Sequence, residues 1–151
     1  MLAYVSNPHV IATFGKSDRL LTALNTSTGC TTITAGILQA GTSKALGDDT
    51  NTGNTLIFSG GTLQLTLAGA IISPSARGVT LTAGSGGTVD TNNGAMDIQG
   101  AISGSGSLTK IGAGTLSVTG ANTYSGATNL NGGTVQALSS AKLGDGSATN
   151  S

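Results

Sequence analysis

Short apolar runs of strand length alternate along the chain with glycine- and asparagine-rich breaks. The pattern predicts strands at 31–34, 37–40, 55–59, 62–68, 79–83, 108–111, 116–119, 128–130 and 134–137. Within them apolar residues fall at i and i+2, as in Leu63, Leu65 and Leu67 or Val79 and Leu81, while Gln64, Thr66 and Thr80 lie between. A period of two means that each strand buries one side only. Gly in the breaks permits tight corners, and Asn92, Asn93 and Asn122 are suited to bonding backbone or stacking between successive windings.

The runs also recur. Residues 24–49 align without gaps on 121–146, an offset of 97, with eleven of 26 positions identical, among them Asn25/Asn122, Gly36/Gly133, Gln39/Gln136 and Asp48/Asp145. A finer period is carried by a glycine that opens a strand at Gly36, Gly61, Gly87, Gly114 and Gly133, in steps of 25, 26, 27 and 19. Strand-bearing periods in the twenties predict a right-handed parallel β-helix, a β-solenoid of about five or six coils. Leu38, Leu63, Val89, Leu116 and Val135 are then expected to stack as one inward row, about 4.8 Å apart. Residues 1–23 divide from the solenoid at 24–151 as an irregular segment, either a decayed coil or a short helix opened by Ser17 and Asp18 that caps the solenoid end.

One stretch carries a specific likeness. Residues 107–135 read SLTKIGAGTLSVTGANTYSGATNLNGGTV. Lys110-Ile111-Gly112, Gly114-Thr115-Leu116 and Ala121-Asn122-Thr123-Tyr124-Ser125-Gly126 within it closely resemble the autotransporter-associated β-strand repeat of bacterial surface-protein passenger domains. The resemblance is strongest over 107–146 and recognisable over 24–67. It implies a secreted, cell-surface passenger exported through an outer-membrane barrel that lies outside this chain. A rigid stalk or adhesin scaffold is the role it implies, with a host-cell or glycan surface as partner. End-to-end self-association, or continuation in a longer chain, is expected from the pairing edge of the last coil.

Composition sharpens this picture. With 25 Gly, two Phe, two Tyr, no Trp and no Glu among 151 residues, the core must be rows of small aliphatics rather than a few large interlocking side chains. Four Lys and two Arg, scattered singly against six Asp, give no basic patch for a nucleic acid. No apolar run is long enough for a membrane-spanning helix.

Candidate chemistry is sparse, and no catalytic, cofactor-binding or metal-binding residue is assigned. His9 stands beside Pro8 without partners at triad or zinc spacing. Cys30, aligned with Ala127, reads as a small buried hydrophobe. Asp48 and Asp145 occupy equivalent Leu-Gly-Asp turns, which leaves Asp90 and Asp97 as the pair a polysaccharide lyase or hydrolase would need. Residues 86–90 lack the spacing of a calcium-binding nonapeptide, and 100–106 lack the Lys-Ser/Thr of a phosphate loop. Thr32/Thr34 and Thr80/Thr82 raise an ice-binding alternative, but the pairs do not recur in every coil. A non-catalytic structural scaffold is the favoured reading. A carbohydrate-active β-helix enzyme is its rival.

Overall fold

A chain whose every strand has one apolar side can bury those sides by winding round a common axis. The computed structural model describes residues 12–14, 18–21, 24–66, 70–137 and 143, and shows that winding. Three all-parallel sheets form the faces of an elongated prism of about five turns.

The first face stacks β1 (Ala12–Phe14), β3 (Thr31–Ile33), β5 (Leu56–Phe58), β8 (Val79–Leu81) and β11 (Ile102–Gly104). The second stacks β2 (Arg19–Leu21), β4 (Ile37–Ala40), β6 (Thr62–Leu65), β9 (Gly87–Asp90), β12 (Leu108–Ile111) and β14 (Thr128–Leu130). The third stacks β7 (Ala70–Ser73), β10 (Ala95–Ile98), β13 (Thr115–Val118) and β15 (Thr134–Ala137). In an earlier turn a 3-10 helix at Ser43–Leu46 packs beside β7, where the third face would continue. After β13 the chain returns along the first face without a strand: the Thr123 N–H donates to the Ile102 carbonyl at 2.8 Å and that of Ser125 to Gly104 at 2.9 Å.

Parallel register makes the interior a set of columns. Leu38, Leu63, Val89, Lys110 and Leu130 follow one another on the second face. Ile33, Phe58 and Leu81 do so on the first, and Met96, Leu116 and Val135 on the third. Leu38, Leu63, Val89 and Leu116 are fully buried, each stabilising the fold by about 2 kcal/mol through lost apolar exposure. Phe58, the one large ring among these columns, fits because Gly87 faces it; a Cβ on Gly87 would stand 2.3 Å from the ring.

These columns correct the single inward row expected from the sequence. Leu38, Leu63 and Val89 do stack, but Leu116 and Val135 continue a different column on the third face. The reason is that a glycine-led strand start marks a corner of the prism, and the corners resemble one another. Gly36 turns the chain from the first face to the second, whereas its repeat equivalent Gly133 turns it from the second to the third. Both have positive φ, 71° and 68°, which glycine alone adopts without strain. The 97-residue repeat is therefore a strand–corner–strand unit installed on two different corners, not a whole coil returning to its own face.

One smaller expectation changes, and two local details are settled. β6 ends at Leu65 rather than running to Ala68, and Leu67 lies outside the described residues. Ile111 faces outward, and Lys110 takes the inward place beside Leu108. Asn92 and Asn122 do not stack on each other. Instead Nδ2 of Asn92 donates to the Leu65 carbonyl at 2.6 Å, and Oδ1 of Asn122 accepts the Ile102 N–H at 2.9 Å, so each ties its turn to the backbone of the preceding coil.

Candidate functional site

Alternation on each strand sends the remaining polar side chains outward, so the three faces are the surfaces on which chemistry could be arranged. On the second face Gln39, Gln64 and Asp90 stand in register and bond in series. Nε2 of Gln39 donates to Oε1 of Gln64 at 2.5 Å, and Nε2 of Gln64 donates to Oδ2 of Asp90 at 2.8 Å. The other oxygen of Asp90 accepts the Asn92 N–H at 2.8 Å. Beside this ladder Thr62, Thr88 and Thr109 form a column of their own, extended by Asn129, whose Nδ2 donates to the Thr109 hydroxyl at 3.4 Å. The Thr-x-Thr pairs singled out in the sequence are not in such a column, because Thr32 and Thr80 are separated on the first face by Ile57.

Asp97 sits on the third face, where Nε2 of Gln99 donates to its Oδ2 at 2.8 Å. Asp90 and Asp97 thus belong to different faces of the prism and share no partner among the described residues. The two described aromatic side chains, Phe58 and Tyr124, are both in the interior, so neither offers a sugar a stacking surface.

The remaining candidates resolve into turns. Asp48 accepts the Thr50 N–H at 3.0 Å and the Thr50 hydroxyl at 2.7 Å, and these bonds hold its carboxyl below the ordinary aspartate range. Asp49 accepts the Ser43 hydroxyl at 2.6 Å. With Asn25 and Lys44 the two acids line a shallow depression beside the 3-10 helix. Cys30 is half-buried rather than buried, its Sγ lying 3.6 Å from the Gly53 carbonyl. Residues 87–90 are strand β9 and 102–104 are strand β11, so neither glycine-rich stretch is an ion-binding loop. His9 and Asp145 lie outside the described residues. No group of three His, Cys, Asp or Glu side chains close enough to hold a metal occurs among the described residues.

The chemically unusual groups are inside, and the sequence did not signal them. Lys110 is fully buried at an inward position, where Nζ donates to the carbonyls of Ile111, Gly112 and Gly132 at 2.7, 2.8 and 3.0 Å. Burial pushes its pKa below that of an ordinary lysine, with Asp90 acting in opposition. Arg77, also fully buried, donates through Nη1 to the Ser43 carbonyl at 2.8 Å and through Nη2 to that of Gly47 at 2.9 Å. It thereby secures both ends of the 3-10 helix from a later coil. Tyr124 fills the interior beside the first face, its hydroxyl 2.5 Å from that of Thr128, and burial raises the pKa of its phenol. Two of the six cations in a formally neutral chain are thus spent on backbone carbonyls of the interior, and the described outer faces carry isolated acids in a polar setting.

Residues 20–40 and 108–137 match the passenger-associated-transport-repeat, which supports identification as an autotransporter passenger domain. The two matched segments span β2 to β4 and β12 to β15 and so include the glycine corners described above. No curated protein and no solved structure matches the chain.

Proposed function

We propose that this chain, which carries the repeat of autotransporter passenger domains, serves as a rigid, surface-exposed stalk or adhesin scaffold of a bacterial cell. The observation that carries the reading is the coincidence of the two family matches with the corners of an all-parallel prism. The same polypeptide signal that marks passengers is here the element that winds the solenoid. The in-register polar columns of the second face support the role: a face whose side chains already bond to one another is stiff and well solvated. A host-cell or glycan surface is the partner this reading gives it.

The test uses antibodies raised against the chain on intact cells of the source bacterium. Labelling of unbroken cells that external protease abolishes is the expected result, and labelling only after permeabilisation would overturn the proposal. The enzymatic alternative is addressed in the same preparation. Asp90→Asn and Asp97→Asn are expected to leave binding to cells and glycans unchanged. Polysaccharide cleavage by the wild type, lost in either variant with the fold intact, would replace the scaffold reading with a lyase or hydrolase.

A further inference from the structure

The chain contains two Asn-Gly steps, Asn93-Gly94 and Asn131-Gly132, each in an exposed corner following a second-face strand. Such a step can rearrange without an enzyme. The backbone nitrogen of the glycine loses its proton and attacks Cγ of the asparagine, the bond from Cγ to the side-chain nitrogen breaks, and ammonia leaves as a five-membered succinimide closes. Water then adds to one or other imide carbonyl and opens the ring to aspartate or isoaspartate. No oxidant or reductant is involved. The nucleophile is the glycine nitrogen, so what holds its N–H decides the rate.

The two corners differ at that atom. The Gly94 N–H donates to the Thr91 carbonyl at 2.8 Å, and this bond must break before the nitrogen can ionise and turn towards Asn93. The Gly132 N–H donates to nothing among the described residues. Its flanks are nevertheless held: the Asn131 N–H donates to the Lys110 carbonyl at 2.9 Å, and the Gly132 carbonyl accepts from Nζ of Lys110 at 3.0 Å. We infer that Asn131 is a site of spontaneous succinimide formation in the folded protein, and that the fold protects Asn93. Isoaspartate at 131 inserts an extra backbone methylene into the corner between β14 and β15. That shifts the Gly132 carbonyl away from the buried ammonium and loosens the last described turn.

Trypsin separates the two sites, since cleavage after Arg77, Lys110 and Lys142 gives peptides 78–110 and 111–142. The folded protein is incubated at mildly alkaline pH, with a parallel sample in denaturant, and each peptide is assayed by mass spectrometry and for isoaspartate. In the folded protein 111–142 is expected to convert at least about fivefold faster than 78–110, the scale of one hydrogen bond, and in denaturant the two should converge. Equal conversion in the folded protein would overturn the inference, as would a 111–142 peptide that converts only in denaturant. Gly132→Ala provides an independent arm: a Cβ there meets the Gly112 carbonyl oxygen at 3.2 Å, a contact a small shift relieves. It is expected to slow conversion at 131 and leave 93 unchanged. An unaltered rate at 131 would contradict the assigned nucleophile.

Discussion

Lys110→Met is expected to lower the unfolding free energy by about 3 kcal/mol, although it exchanges a buried charge for an apolar side chain of similar length. Two effects oppose each other. Removing the ammonium recovers its desolvation cost, which is the cost that depresses its pKa. Against this, the carbonyls of Ile111, Gly112 and Gly132 each lose a charged donor within 3.0 Å, and a hydrogen bond from a charged group is worth about 1.5–3 kcal/mol; the Ile111 carbonyl keeps the Thr91 N–H at 3.3 Å, which softens its loss. Together these losses outweigh one recovery. Thr109→Met, one residue away and facing outward on the same strand, is the control and should change stability by no more than about 0.5 kcal/mol. Urea midpoints decide the matter. Coincident midpoints for the two variants would show that Lys110 is not what secures the corner.

Leu116→Asp carries a still larger effect. Leu116 is fully buried on the third face, and its neighbours in the column, Met96 and Val135, are apolar and offer a carboxylate no hydrogen bond. An unpaired buried charge costs several kcal/mol, a large part of the roughly 5–15 kcal/mol that holds a domain folded. In a solenoid each turn rests on its neighbours, so loss should spread from β13 to β10 and β15. Thr119→Asp, half-exposed and just past the end of β13, should leave the fold in place. Circular dichroism at ambient temperature is expected to show loss of sheet signal in the first variant alone. Equal loss in both would contradict the inward placement of Leu116.

Much of this fold is legible in the sequence because a solenoid writes its period into the chain. Alternation located β3, β4, β5, β6, β8, β12, β13, β14 and β15, and the recurring glycines revealed the winding. β1, β2, β7, β10 and β11 escaped, and two of them show why. β10 reads AMDI, with Asp97 interrupting the apolar pattern, and β11 reads ISG, with a glycine in left-handed conformation at its end. The assignment of strands to faces escaped for a different reason. Corners at Gly36 and Gly133 are locally alike, so the repeat reports the corner and is silent about which two faces it joins. Nor did the sequence reveal the interior cations. Lys and Arg are ordinarily surface residues, and only parity, Lys110 two places after the inward Leu108, held the hint. The absence of an assembled Asp90–Asp97 pair likewise became visible only once the two strands were placed on separate faces.

The central claim, a three-faced parallel prism whose repeated corner changes faces along the chain, is tested most directly by engineered disulfides in a Cys30→Ser background. Thr88 and Thr109 are register partners on adjacent parallel strands of the second face and both point outward. Adjacent strands lie about 4.8 Å apart, within the Cα separation a disulfide spans. Thr115, by contrast, follows Gly114 as Thr88 follows Gly87, and would be its partner if the glycine-led starts formed one column. Mild oxidation is predicted to link Thr88→Cys to Thr109→Cys and to leave the Thr88→Cys/Thr115→Cys protein as free thiols; a disulfide in the second pair and none in the first would contradict the account.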